Sequence, residues 1–231
     1  MKIIECPRDA MQGLSVFIPT DKKVAYLSQL LKVGFDTIDF GSFVSPKAIP
    51  QLRDTAEVLS KLDLTNVKSK LLAIVANTRG AMEAAEYQSI TYLGFPFSIS
   101  ETFQQRNTNK SIEDALLSIK EIQEICLRKN KVLVIYISMG FGNPYGDPYD
   151  ADIVEQFTEL LSAMNVRIIS LADTIGVSNP DQIQKMFGSL TKKYSAIEFG
   201  VHLHSSPVTA VEKIAAAYAS GCQRFDGAIK G

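Results

Sequence analysis

The sequence predicts an α/β chain folded as a (β/α)8 barrel, on three observations. Short apolar, β-branched runs alternate with longer amphipathic segments, the signature of a parallel sheet covered by helices. No G-x-G-x-x-G follows an early strand, which disfavours a dinucleotide-binding open sheet. Polar residues recur at the C-terminal ends of the strands, where a barrel builds its site: Arg8 and Asp9, Asp39 and Ser42, Asn77, Ser98 with Glu101, Ser138, Asp173, and His202 with His204. Periodicity alone also allows an open doubly wound sheet; the second and third observations favour the barrel.

The expected strands are Lys2–Glu5, Thr37–Phe40, Leu71–Ala76, Ser89–Gly94, Val132–Ser138, Arg167–Ala172, Ile197–His204 and Gln223–Ala228. Asp21–Val33 reads as a helix with Asp21 as N-cap, apolar residues at Val24, Leu27, Leu30 and Leu31, and Gly34 as its stop. Ser111–Lys129 opens with a capping-box pattern of Ser111 and Asp114 and carries Ile112, Ala115, Leu116, Ile119, Ile122 and Ile125 on one stripe. Asp150–Met164 and Pro207–Ser220 are patterned alike. No linker or short repeat interrupts the chain. Its 231 residues suit one barrel, which runs to roughly 250 residues. A single domain over 1–231 is expected, with the C-terminal part of the barrel missing, since the chain stops just after the eighth strand.

Composition excludes several classes. Lys and Arg number 24 against 25 Asp and Glu, so no basic surplus exists to neutralise phosphates, and nucleic acid is not the expected partner. No apolar run is long enough to span a bilayer, so no membrane partner is expected. The opening MKIIECPRDAMQG lacks the order of a signal peptide. Cys6, Cys126 and Cys222 are odd in number, far apart and without CxxC spacing; neither a disulfide framework nor a zinc knuckle is expected, and a reduced cytoplasmic setting follows. Cys6 could be a reactive thiol, although a buried strand cysteine is the preferred reading, and Cys126 and Cys222 read as core.

His202-Leu203-His204 is the strongest local signal. In a strand, residues two apart share a face, and two imidazoles aimed together suit a divalent metal. The bland alternative is a pair of satisfied, partly buried histidines. Arg8-Asp9 follows the first strand: the carboxylate could complete a mixed N/O metal site, and the guanidinium could hold a substrate oxygen; the alternative is a surface ion pair of little worth. Asp39 ends the second strand, where a carboxylate is costly without a partner that Arg8 or a metal could supply; otherwise it is a solvated strand-end Asp. Asp173 ends the sixth strand and reads as support for the histidines, as an acid/base group, or simply as an N-cap. The Gly- and Pro-rich loop from Gly140 to Pro148, with Tyr145 in it, reads as a lid or substrate wall.

Taken together, these segments resemble the 3-hydroxy-3-methylglutaryl-CoA lyase family along essentially the whole chain. PRDAMQG resembles its PRDGLQ opening, TIDFGSFVSPKAIPQ its second-strand segment, and SISETFQQRNTNKSIEDAL its SE-x-F…N…SIEE stretch; ISMGFGNPYGD, ISLADTIGV and VHLH follow in order. The RD and HxH elements are also shared with isopropylmalate and homocitrate synthases and with aldolases of the same metal-dependent superfamily. The resemblance implies a TIM barrel and a retro-Claisen cleavage of 3-hydroxy-3-methylglutaryl-CoA to acetoacetate and acetyl-CoA, as in leucine degradation. It implies Asp9, His202 and His204 as ligands of Mg²⁺ or Mn²⁺, and Arg8 as the group facing the enolate. Asp39 stands in the place of a catalytic glutamate and Asp173 in that of a supporting aspartate. The expected catalytic set is therefore Arg8, Asp9, Asp39, Asp173 and His202. The expected substrate-binding set is Arg8, Gln12, Ser138 and Tyr145, with an acyl-CoA as substrate and a homodimer as the candidate assembly.

The sequence departs from the family at Ala10 (a glycine there), Asp39 (glutamate) and Ser205 (an acid). FDGAIKG reaches only to where the family's cysteine loop and asparagine ligand would begin, so neither is assignable here. The competing readings are a Claisen-condensing acyltransferase or aldolase of the superfamily, and a barrel fragment without turnover.

Overall fold

The computed structural model of the protein describes residues 1–229. Eight parallel strands are hydrogen-bonded in sequence order into a closed barrel, as the strand-end pattern predicted. The chain forms two compact units.

One unit comprises Lys2–Gly94, Ile125–Val132 and the segment from Asp226. It contains β1 (Lys2–Glu5), α1 (Pro7–Gln12), α2 (Thr20–Val33), β2 (Thr37–Ser42), a 3-10 turn (Pro50–Leu52), α3 (Thr55–Lys61), β3 (Lys70–Ile74), α4 (Thr78–Ala85) and the first half of β4 (Ile90–Ser98). β1 pairs with β2 through Ile4 and Thr37, and β2 with β3. The β2–β3 register slips between Asp39 and Gly41; such a bulge re-aims the side chains beside it. Every β2 residue is buried, including the polar Thr37, Asp39 and Ser42. The loop from Gly13 to Pro19 is clasped by buried Gln51, whose Oε1 accepts from Ile18 N at 2.8 Å and whose Nε2 donates to Val16 O at 2.8 Å.

The other unit is built chiefly from Phe95–Glu124 and Leu133–Phe225. It carries the rest of β4, α5 (Glu101–Thr108), most of α6 (Ile112–Arg128), nearly all of β5 (Val132–Ser138), α7 (Ala151–Ala163), β6 (Ile168–Asp173), α8 (Pro180–Lys193), β7 (Glu198–Leu203), α9 (Ala210–Ala219) and the start of β8 (Arg224–Gly227). β5, β6 and β7 are paired in register from Val134–Ile168 through to Asp173–Leu203. Gly200 is dictated by packing: a Cβ there would stand 3.0–3.2 Å from the stem of Arg224, which is fully buried and faces Glu198 at 3.6 Å.

Several expectations are corrected. Arg8 and Asp9 lie not in a loop but in α1, because Pro7 supplies a pre-set φ at the first helical position and gives up no needed N–H. Asp21 is not the N-cap of α2; Pro19 is, and Asp21 sits in the first turn. β4 runs four residues past Gly94, since Phe95 and Phe97 continue the buried pattern. α9 starts at Ala210 rather than Pro207. Ser111 accepts from Asp114 N at 3.0 Å, as the capping pattern predicted, although the Asp114 carboxylate returns to the Ser111 hydroxyl instead of the backbone.

Candidate active site

The first cluster joins α1, just after β1, to Asp39, which does not end the second strand as expected but is its third residue, because β2 runs on to Ser42. Arg8 is buried, and its guanidinium wraps Asp39: Nε lies 3.0 Å and 3.2 Å from the two carboxylate oxygens and Nη2 2.6 Å from Oδ2. Nη1 donates to Asp9 Oδ1 at 3.0 Å and to Gln12 Oε1 at 2.9 Å, and Gln12 Nε2 donates to the same Asp9 oxygen at 2.8 Å. α1 produces this geometry, since residues 8, 9 and 12 fall on adjoining turns. Burial alone would lower the Arg8 pKa; the charge and hydrogen bonds of Asp39, with Asp9 behind, hold it above its ordinary value. Burial raises the Asp39 carboxyl, against the pull of Arg8. The guanidinium is thus a fixed, permanent cation, and Asp39 has the partner that its burial requires.

The second cluster gathers at the ends of β5, β6 and β7. His202 is the fifth residue of β7 and His204 follows its end; their ring centroids are 5.3 Å apart. Tyr136 of β5 meets His202 edge-on at 6.2 Å. Ser138 ends β5 and is buried. Asp173 accepts from Val177 N at 2.9 Å, from Ser178 N at 3.1 Å, from Ser178 Oγ at 2.6 Å and from Lys213 Nζ at 3.0 Å. Its carboxylate therefore caps the loop that follows β6. Tyr145 packs its ring on Phe103 of α5 (6.4 Å, 26°), with the Arg106 guanidinium 4.9 Å away. Asp147 ties that loop to α5 through Ser100 Oγ and through Thr102 N and Oγ1 at 2.9 Å each.

Sequence reasoning missed Lys213. It occupies the buried stripe of α9 with Ala216 and Ala217, and a lysine on an apolar stripe was the available signal. It also missed Ser178, whose tie to Asp173 depends on the turn between them.

Asp9, His202 and His204 each offer one ligand atom, and those atoms lie within 4.8 Å of one another. Two imidazole nitrogens and a carboxylate oxygen form a donor set that suits a divalent cation, so these residues fit a metal.

Residues 2–231 match the family model described as HMGL-like. The chain belongs to the HMGL-like family. It is 32% identical over 228 residues to the hydroxymethylglutaryl-CoA lyase YngG of Bacillus subtilis, covering 97% of this chain and 75% of that protein. It is 30% identical over 233 residues to the cytoplasmic 3-hydroxy-3-methylglutaryl-CoA lyase of Rattus norvegicus, covering 100% and 67%. Among solved structures, the B. subtilis HMG-CoA lyase superposes with a TM-score of 0.93 at 32% identity, over 100% of this chain and 77% of that one. The HMG-CoA lyase from Acenitobacter baumannii, solved in complex with coenzyme A and 3-methylmalate, gives 0.91 at 30% identity, over 100% and 75%. Other relatives are named mitochondrial. Among the described residues no helix is long and apolar enough to cross a membrane.

Proposed function

We propose that this chain is a divalent-metal-dependent carbon–carbon lyase that cleaves 3-hydroxy-3-methylglutaryl-CoA to acetoacetate and acetyl-CoA, as one catalytic domain over 1–231. The observation that carries this reading is the donor set of Asp9, His202 and His204 in a chain whose Arg8 is locked in place.

Asp9, His202 and His204 hold the cation, Mg²⁺ or Mn²⁺. When bound, such an ion acidifies the substrate's tertiary hydroxyl and orients the carbon chain. A carboxylate or imidazole beside that hydroxyl, other than one engaged by the cation, takes its proton. The C2–C3 bond then breaks, a carbonyl forms at C3, and the electron pair passes into the thioester enolate. Arg8 stabilises that enolate oxygen, with Asp39 behind it to fix the guanidinium plane. Return of the proton taken from the hydroxyl to the enolate carbon gives acetyl-CoA and balances the cleavage. Asp173 acts through the loop it holds. Gln12, Ser138 and Tyr145 line the acyl-CoA. The proposed setting is the cytoplasm, in leucine degradation, with a homodimer as the assembly.

The test is acetoacetate formation by purified protein stripped with EDTA and then given Mg²⁺ or Mn²⁺. Metal-dependent release, lost in Asp9→Asn and in His204→Ala, is expected. Condensation of acetyl-CoA with a 2-oxo acid, without cleavage, would move the protein to the acyltransferases. Folded protein that binds metal and turns nothing over would mark a barrel without catalysis.

A further inference from the structure

Lys213 is 3% exposed, in a helix whose other buried residues are two alanines. A buried ammonium is costly unless acceptors meet it. Its Nζ lies 3.0 Å from Asp173 Oδ2 and 3.1 Å from the carbonyl oxygen of Gly176. Both acceptors belong to the segment that leaves β6, and that segment winds around the Asp173 carboxylate through the amides of Val177 and Ser178.

The same segment touches the strand ends on both sides. Gly176 has φ +73°, and a Cβ there would stand 3.1 Å from the carbonyl oxygen of His204; a side chain would be strained by both the backbone and the approach, and glycine avoids both. On the other side, Thr174 Oγ1 accepts from Met139 N at 2.8 Å, and Gly140 N donates to Ala172 O at 3.1 Å. Met139 holds φ +59°, a conformation that persists in a non-glycine residue only when its surroundings enforce it. One loop therefore sets the backbone at His204 and the start of the loop that carries Tyr145.

We infer that Lys213 is a positioning residue: it locks the β6–α8 loop onto Asp173 and thereby fixes the backbone at His204 and at Met139. The inference rests on the lyase reading for its consequence in turnover, though not for the locking itself. Lys213 touches no substrate; its contribution is geometric, and small misplacements of reacting groups are expensive in rate.

The test is Lys213→Met in the full chain, which keeps the stem and removes the charge. The kcat for acyl-CoA cleavage is expected to fall by at least about tenfold with KM nearly constant, a split that simple loss of folded protein would not reproduce once active-site concentration is normalised. The amide protons of Val177 and Ser178 are expected to exchange faster, while those of α8 keep their protection. Unchanged exchange at Val177 and Ser178 would overturn the inference, as would a wild-type kcat with those amides exposed. Should Lys213→Met fail to fold, the double variant Asp173→Asn with Lys213→Met removes the stranded charge. Its kcat is expected to equal that of Asp173→Asn alone; a further loss would show that the lysine acts elsewhere. If the wild-type chain cleaves no acyl-CoA, the lyase reading fails, while the exchange comparison still decides whether Lys213 holds the loop.

Discussion

Arg8 grips Asp39 with two nitrogens, Nε at 3.0 Å and Nη2 at 2.6 Å from the same oxygen, and the two residues stand 31 positions apart. The fork leaves Nη1 directed at Asp9 and Gln12. Asp39 is 1% exposed, so the pair has little competing water.

Arg8→Lys keeps a cation beside Asp39 and loses the planar fork. The chain should still fold, while kcat for acyl-CoA cleavage drops by about 10²–10³-fold, the usual loss when one oxyanion donor is removed. Steady-state kinetics with active-site normalisation checks this; a wild-type kcat in Arg8→Lys would remove Arg8 from enolate stabilisation.

Asp39→Ala strands a buried guanidinium. Breaking such a pair costs about 3–5 kcal/mol, which in a chain of this size lowers the melting temperature by roughly 10 °C. Asp39→Asn, which retains an acceptor, should cost less. Thermal unfolding followed by circular dichroism measures both, and equal midpoints for wild type and Asp39→Ala would show that the pair does not hold the fold.

Hydrogen bonds from Ser100 and from the Thr102 backbone and hydroxyl lower the Asp147 pKa from its ordinary 3.8. A depressed folded pKa means stabilisation that is present above the ordinary value and lost as pH falls through the depressed one. The loop that carries Tyr145 should therefore stay tied to α5 through mild acid and release only below pH 3.8. The Thr102 amide shift in an NMR pH titration reports the midpoint, and Asp147→Asn should flatten the curve. A midpoint at or above 3.8 would contradict the bonding.

Burial pushes the Cys6 thiol well above 9.0 and the Cys126 thiol to about 12, and Cys222 is also fully buried. Thiols so placed stay protonated and inaccessible. Native protein should consume no thiol reagent at mildly alkaline pH, and unfolding in guanidinium should expose all three cysteines. Rapid labelling of one cysteine in the native state would show that its burial is not maintained in solution.

Some of the molecule could be read residue by residue. β5 is Val132–Ser138 as predicted, because a short unbroken run of β-branched, leucine and aromatic residues between Lys131 and Gly140 has no competing helical period. The N-cap of α7 at Asp150 was legible for the same kind of reason: its side chain meets Ile153 N at 2.8 Å, a contact made within one turn. α1 was not legible. Six residues are too few for a periodicity, and Pro7, taken as the entry to a loop, in fact starts the helix.

The division follows the range of the forces. The succession of strands and helices and the family motifs depend on local period and residue type, which a linear reading captures. Which acid Arg8 holds, and why a lysine is tolerated on the apolar stripe of α9, depend on partners 31 and 40 positions away. Parallel pairing sets unrelated loops side by side, and a buried charge is then stable only beside whichever opposite charge that packing delivers.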